Sequence, residues 1–164
     1  MSSKIFDTVI VGAGVSGLSC AIELKVQNIE NILLIEKSDN FFSTIRSFYK
    51  DGKRVDKYWR NQIINLIGNI PFDGGLKEEV LNYFETLLKK YNIPTMYNKK
   101  KKKVIKLDNE IFEIHTKLDI YKAKNVVIAI GKMGKPNKPN YKIASEIQKN
   151  VNFNLDNCSK NEKI

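Results

Sequence analysis

The chain has 164 residues, 42% of them hydrophobic and 28% charged, which suits one soluble globular domain and part of another. No apolar run reaches the roughly 20 residues that cross a membrane, and no signal peptide is recognisable, so we expect a cytoplasmic protein without a membrane partner. The net charge of +10 comes almost entirely from lysine, a bias that AT-rich coding also produces, and does not by itself indicate nucleic-acid binding.

The first 36 residues predict a strand, a glycine turn, a helix and a second strand. The first strand, residues 5–11, is apolar enough to be buried on both faces. The helix is expected from Val15 to Gln27, and the second strand from Ile32 to Glu36. The packed face of the helix is expected to contain Leu18, Ala21, Ile22 and Leu24.

The glycines of this unit have the spacing of a dinucleotide-binding turn. Gly12 permits a tight strand-to-helix turn, Gly14 lets a pyrophosphate approach the helix N-terminus, and Gly17 keeps the helix close to the sheet. Glu36 follows at the expected distance, where a carboxylate accepts both ribose hydroxyls and repels a 2′-phosphate. The ligand is therefore expected to be FAD or NAD rather than NADP. A glycine turn in an unrelated α/β domain is disfavoured because the whole unit is present.

The next segment, residues 38–73, is irregular and rich in aromatic residues. Short helical turns are expected at 43–49 and 57–66, and the segment serves either as a ligand-facing loop or as packing alone. After Gly74 and Gly75 an amphipathic helix is predicted over 77–91. Its packed residues are expected to be Val80, Phe84, Leu87 and Leu88.

The second half of the chain predicts mainly strands. A hairpin turn is expected at Asp108-Asn109, and a fully buried strand over 125–130 ends at Gly131. The segment from Gly131 to Lys142 has a hinge composition, and we divide the chain into 1–131 and 132–164. The strands expected before the buried one are 93–97, 102–107, 111–116 and 120–123.

This order of elements resembles the N-terminal FAD-binding segment of flavoproteins with two dinucleotide-binding domains. That group includes thioredoxin reductase-like and bacillithiol-disulfide reductase-like NAD(P)H oxidoreductases. The resemblance covers about residues 5–141 and rests on VIVGAGVSGLSCAIELK, ILLIEKSD, the Gly-Gly before helix 77–91, and NVVIAIGKMGKPNKP. Ile130 stands where the family has threonine. The implied fold class is α/β, a Rossmann-like FAD-binding domain with a parallel sheet and a three-stranded antiparallel meander, truncated.

The resemblance also implies a cofactor site. Glu36 would hold the adenosine ribose, Lys37 would flank the adenine, and backbone near 102–104 would contact the adenine edge. Ala129 and Gly131 would pass near the cofactor. The residues that would cradle the FAD pyrophosphate are Gly12, Ala13, Gly14, Val15, Ser16 and Gly17. The residues that would lie in a loop towards the flavin ring are Ser43, Thr44 and Arg46.

The family's NAD(P)H-binding domain and C-terminal FAD segment have no counterpart in this sequence. We therefore expect the FAD-binding portion of an NAD(P)H-dependent flavin oxidoreductase, inactive alone, with FAD as cofactor and NAD(P)H only with the absent domain. The expected partner is the absent half or a second copy. One alternative is a stand-alone FAD- or NAD-binding module without redox activity. Another, nucleic-acid binding through Lys99–Lys103, is disfavoured because that run reads best as a solvated loop.

The remaining polar residues indicate no catalytic or metal centre. His115 is the single histidine, and Cys20 and Cys158 are far apart with no CxxC motif. Ser16 lacks the GxSxG frame and base of a hydrolase nucleophile. The catalytic residues stay unassigned.

Overall fold

The computed structural model describes residues 4–58, 62, 65–131 and 140–151. Internal contacts divide the chain into two units, Met1–Ile130 and Gly131–Ile164. Every helix and strand named below belongs to the first unit, except one short helix of the second. The elements are β1 Ile5–Val11, α1 Val15–Val26, β2 Ile32–Ile35, α2 Ser43–Phe48, β3 Arg54–Val55, β4 Gly75–Leu76, α3 Lys77–Lys90, β5 Thr95–Met96, β6 Lys103–Lys106, β7 Phe112–His115, β8 Ile120–Ile128 and, in the second unit, α4 Ser145–Gln148.

A six-stranded sheet with the order β5-β2-β1-β8-β7-β6 forms the framework of the first unit. Strands β5, β2, β1 and β8 are parallel, while β8, β7 and β6 form an antiparallel meander. The predicted α/β class, with a parallel sheet and a three-stranded meander, is confirmed. Because β1 lies inside the parallel strands, the turn after it opens at the carboxyl edge of the sheet, where open α/β sheets bind ligands.

The core lies on both faces of this sheet. Leu18 and Ile22 of α1 pack with Phe84 of α3 against the face that carries Ile10 and Leu34. A second cluster forms on alternate residues of the same strands, since Ile114 of the meander packs with them and is fully buried. The members of that cluster are Val9, Val11, Leu33, Ile35, Ile114 and Ala123. Helices thus cover one face, and the meander contributes to the other.

The prediction of separate strands at 120–123 and 125–130 is wrong, because β8 is one continuous strand. Its first residues pair with β7, and its later residues continue along β1 without a break. Lys124 forms an ion pair with Asp7 at 2.8 Å, and the Asn125 side-chain amide donates to the Asp7 carbonyl at 3.0 Å. These polar residues therefore bind the strand to β1 where the sequence suggested an interruption.

Full burial was expected for residues 125–130 and on both faces of β1, and both expectations are wrong in part. Asn125, Ile128 and Ile130 are exposed, and Ile5 is 42% exposed, although Val9 and Ile10 are completely buried. In the part of the chain that the structure describes, no strand pairs with residues 124–128 on the side away from β1. This stretch is an open strand edge.

We expect this edge to promote self-association of the isolated chain, since unpaired strand edges accept further strands. Replacing Ile128, which is 50% exposed at the end of β8, with lysine should raise several-fold the concentration at which aggregates appear. Stability to urea should change by less than about 0.5 kcal/mol. Light scattering measures the effect, and Ile147→Lys, at a 54% exposed residue of α4, is the matched control. Equal suppression by both variants would attribute association to general hydrophobicity.

The segment between β2 and α3 contains one predicted and one unpredicted element. Helix α2 agrees with the turn expected at 43–49. The two-stranded ribbon of β3 and β4 was not predicted, because two-residue strands leave no alternating pattern to read. Half of the residues in the helical turn expected over 57–66 lie outside the described ranges, and the others, 57, 58, 62, 65 and 66, are not helical, so the prediction is wrong there. None of the helices in the described ranges is both long and apolar enough to cross a membrane.

Candidate functional site: the glycine turn and Glu36

The glycine turn between β1 and α1 depends on two glycines for its shape. Gly12 has φ of +107°, which disfavours other residues, and its N–H donates to the Ile35 carbonyl at 2.8 Å. A Cβ on Gly12 would lie 2.4 Å from the Ala129 carbonyl oxygen, and one on Gly17 would lie 1.8 Å from the Gly12 carbonyl oxygen. The turn, the helix and the residue after β8 are therefore packed backbone to backbone.

Gly14 differs from these two glycines because a Cβ there would meet nothing within 4 Å. It is the N-cap of α1, where no side chain caps the helix and no acidic residue occupies the first turn. The first N–H groups of a helix have no partner within it, and the helix dipole favours an anion there. Val15 is 47% exposed and Ser16 is also exposed, so this end of the helix is open to a ligand.

Glu36 is a buried carboxylate, 5% exposed, that contacts the turn directly. Its Oε2 accepts a hydrogen bond from the Ala13 N–H at 2.7 Å, and Oε1 accepts one from the Ser38 N–H at 3.0 Å. A carboxylate has about four acceptor positions, so two remain for further donors such as ribose hydroxyls. Glu36 therefore stabilises the turn and keeps acceptor capacity beside it.

Phe42 holds the other side of Ala13, a contact that the sequence did not reveal. Its N–H donates to the Ala13 carbonyl at 2.9 Å, and its backbone is left-handed, with φ of +55°. Few non-glycine residues adopt this conformation. The Phe42 ring is 2% exposed and packs edge-on against Phe84, with centroids 4.7 Å apart. Burial of the ring thus stabilises a backbone conformation that fixes the turn.

Beyond Glu36, the chain pairs with residues 96–99 next to the open end of the sheet. The Glu36 N–H donates to the Met96 carbonyl at 2.9 Å, and the Glu36 carbonyl accepts from the Lys99 N–H at 2.7 Å. Lys37 is exposed beside this pairing. Lys102 donates its N–H to the His115 carbonyl at the start of the β6–β7 pairing. The segment implied to contact adenine therefore begins three residues after Lys99, whose N–H binds the Glu36 carbonyl.

The lysine run at 99–103 is less of a free basic patch than the sequence suggested. Lys99 forms an ion pair with Asp119 at 2.7 Å, and Lys103 lies in β6. A hydrogen bond from Lys99 lowers the pKa of the Asp119 carboxyl, and the same bond raises the pKa of Lys99. The pair links the segment beside Glu36 to the turn between β7 and β8.

We expect Asp119→Asn to lower stability by a small amount that depends on pH. A lowered carboxyl pKa stabilises the fold above its unfolded value, about 4, and this contribution disappears as pH falls through the folded pKa. The raised pKa of Lys99 also stabilises the fold, but its contribution is present at lower pH and disappears as pH rises through the folded pKa. Urea unfolding of both proteins between pH 2 and pH 11, about the range of these two groups, should show a constant difference near neutrality that shrinks at both extremes. A difference independent of pH would contradict the ion pair.

Further candidate residues are Ala129, Gly131 and Arg46. Ala129 donates its N–H to the Val11 carbonyl at 2.8 Å and lies against Gly12 and Gly17. Gly131 belongs to the second unit, where it is exposed with φ of +68°. Arg46 directs its side chain to the Phe41 carbonyl, at 2.9 Å, and lines a cleft described below.

His115 and Cys20 are the histidine and the cysteine that the structure describes. His115 Nε2 lies 3.1 Å from a Glu113 carboxylate oxygen on β7, an interaction between neighbouring polar side chains. Burial raises the pKa of the Cys20 thiol inside α1, which keeps it protonated. Cys158 lies outside the described residues. Within the described ranges, no three histidine, cysteine or acidic residues group as metal ligands.

Residues 9–164 match the sequence profile of the pyridine nucleotide-disulphide oxidoreductases. The chain belongs to this family. The predicted resemblance to its reductases is thereby confirmed. The "Uncharacterized oxidoreductase CzcO" of Bacillus subtilis (strain 168) is 27% identical over 164 residues, covering 97% of this chain and 45% of CzcO. This chain thus spans less than half the length of that oxidoreductase.

Solved structures show the same fold as this member of the family. Bacillithiol disulfide reductase Bdr (YpdA) from Staphylococcus aureus superposes with a TM-score of 0.68 at 25% identity, over 87% of this chain and 43% of Bdr. OTEMO in complex with FAD and NADP superposes with a TM-score of 0.62 at 18% identity, over 86% of this chain and 28% of OTEMO. The matched part is therefore the Rossmann-like portion of larger proteins.

Proposed function

We propose that this chain is the FAD-binding portion of an NAD(P)H-dependent flavin oxidoreductase, and that its glycine turn binds the ADP half of FAD. The observation that carries the proposal is the arrangement around Ala13. The Glu36 carboxylate accepts the Ala13 N–H at 2.7 Å, and the open first turn of α1 begins two residues later, at Val15. One short stretch of chain therefore has groups that bind both an anion and a ribose.

The donor and acceptor chemistry fits the two parts of an ADP group. Gly14, with no atom near its missing side chain, leaves room for a pyrophosphate against the helix N–H groups. Glu36 offers its remaining acceptor positions to the ribose hydroxyls and repels a 2′-phosphate. Lys37 and Ala129 would border the adenine and pyrophosphate ends of this site. Val15 and Ser16 complete the proposed set of binding residues.

Membership of the family and the FAD named in the OTEMO structure support FAD over NAD as the ligand of this turn. FAD, when bound, supplies the two-electron chemistry that side chains lack. The chain's own contribution is to bind and orient its ADP half. Oxidoreduction also needs a nicotinamide nucleotide facing the flavin, which requires a second nucleotide-binding turn. The described residues contain one glycine turn of this kind.

Flavin titration tests the proposal directly. FAD should bind with fluorescence quenching and remain after desalting, whereas FMN, which lacks the adenylate half, should bind at least about tenfold more weakly. ADP should compete with FAD, and NADP should not. Similar binding of FMN and FAD would contradict recognition through the turn, and so would failure of ADP to compete.

A stand-alone nucleotide-binding module without redox activity is the second candidate, favoured by the single glycine turn among the described residues. The FAD-loaded chain is mixed anaerobically with NADH or NADPH, and flavin absorbance is followed. We expect no reduction by the chain alone, because the described residues contain no second nucleotide-binding turn that would bring a nicotinamide to the flavin. Rapid bleaching would show that this chain supports hydride transfer without a further domain.

A further inference from the structure

A cleft of about 520 Å³ lies between α2, the end of α3 and β5. Its volume falls within the range of small-molecule sites. Asn40 and Phe41 line it from the loop before α2, and Arg46 lines it from α2 itself. Thr95 lines it from β5, and Tyr97 from the chain just after that strand. None of these residues belongs to the glycine turn, and Arg46 is the one that the resemblance places in a loop towards the flavin ring.

Arg46 is the main polar group of this cleft. Its Nε–H donates to the Phe41 carbonyl at 2.9 Å, and the guanidinium carbon lies 4.5 Å from the centre of the Phe41 ring. The side chain is half-buried and held in one plane by these two contacts. No carboxylate lies within 4.0 Å of its nitrogens among the residues that the structure describes. Among the described residues the Arg46 side chain donates one hydrogen bond, through Nε, so its two terminal nitrogens keep their donors for a ligand.

The remaining polar groups of the cleft also favour an anion. Glu85 is neutralised by Lys89 at 2.8 Å, and that bond keeps the pKa of Glu85 below its ordinary value. The charge of Arg46 also lowers the pKa of Glu85, and two cations, Arg46 and Lys89, against one anion, Glu85, leave the lining with one net positive charge. Burial raises the pKa of the Tyr97 hydroxyl, which stays protonated and able to donate. Asn40 uses its carbonyl oxygen on the Phe41 N–H, which leaves its amide nitrogen as a further donor.

The apolar side chains of the lining expose little surface, since Ile93 is 8% exposed and the Arg46 guanidinium lies over the Phe41 ring. Phe41 is 4% exposed, and Ile93 and Leu88 lie beside it in the same lining. We propose that this cleft binds a small molecule that carries an oxyanion, a carboxylate or phosphate. The terminal nitrogens of the Arg46 guanidinium bind the oxyanion in two-point fashion.

The test uses the complete chain with phenyl phosphate and benzoate as probes, and benzamide as the neutral control of similar shape. Binding is followed by amide chemical shifts in solution, which report the site as well as the affinity. We expect shifts at Thr95, Tyr97 and Glu85, and a dissociation constant in the low millimolar range or below, about 4 kcal/mol or more of binding free energy. Arg46→Gln should weaken binding at least about tenfold, because a charged two-point contact is lost.

Two further variants keep the result interpretable. Arg46→Lys retains the charge but loses the planar fork, so an intermediate loss of about three- to tenfold is expected. Lys90→Gln removes a neighbouring exposed charge outside the cleft lining and should leave the affinity unchanged. Equal binding of benzamide would contradict the proposal that the ligand is an anion. Shifts centred on residues 12–17 would show that the oxyanion binds at the glycine turn and not in the cleft. Absence of saturable binding at about 10 mM would overturn the site.

Discussion

Gly17→Ala is expected to destabilise the first unit by at least about 3 kcal/mol, a large part of the stability of a small domain. The added methyl would lie 1.8 Å from the Gly12 carbonyl oxygen, and the backbone of β1 and α1 holds both residues. Because no flexible side chain can move away, the helix itself must shift from the sheet. Urea unfolding followed by circular dichroism measures the loss, with FAD binding as a second readout.

Gly14→Ala is the matched control for this substitution, in the same turn and with the same added methyl group. Its Cβ would meet nothing within 4 Å, and its φ is −79°, which alanine accepts readily. The stability loss should stay below about 1 kcal/mol, from weaker N-capping. FAD affinity should nevertheless fall, because the methyl occupies the space proposed for pyrophosphate. Equal destabilisation by the two variants would contradict the backbone packing described for the turn.

Glu36→Gln is expected to cost about 1–3 kcal/mol of stability and at least about tenfold in FAD affinity. Two backbone N–H groups, from Ala13 and Ser38, donate to the two carboxylate oxygens. An amide offers one oxygen and one NH₂, so one backbone donor faces another donor in a buried place. The remaining acceptor capacity for the ribose hydroxyls is also reduced. Thermal and urea unfolding give the first effect, and flavin titration gives the second.

Glu110→Gln is the control for the loss of a carboxylate, since Glu110 is exposed and pairs only with Lys106 in the described structure. Its stability should change by less than about 0.5 kcal/mol, and its FAD affinity should not change. If Glu36→Gln behaved in the same way, the carboxylate would be neither a support of the turn nor a ribose ligand. A loss of affinity without loss of stability would assign it to the ligand alone.

Strong local patterns made most of the fold predictable. The helical spacing of Val80 and Phe84 and the apolar runs of β1 and β2 correctly indicated elements within a few residues of their bounds. The continuity of β8 was not predictable, because Lys124 and Asn125 look like an interruption until their partner Asp7 is known. A contact across so many positions leaves no trace in local periodicity.

The candidate site was predictable where a residue type is required by geometry or chemistry. Glycine is the residue that accepts φ of +107° at position 12, and an acid at the end of β2 has a recognisable position, so Gly12 and Glu36 stood out. Phe42 did not, because its role lies in its backbone N–H and in a left-handed conformation that the sequence does not encode locally. The hydrogen bond from the Phe42 N–H to the Ala13 carbonyl was therefore visible only in the three-dimensional structure.

The pairing of β1 with β8 has a consequence for synthesis on the ribosome. Asp7 and Lys124 meet across 117 positions, and every residue between them must leave the exit tunnel before the centre of the sheet can close. During that interval β1 and its glycine turn can pair with β2 but expose their other edge to the cellular milieu. The glycine turn is thus translated early and completed late. A nascent chain arrested before Ile128 should remain a substrate for chaperones, however well its first 36 residues are formed.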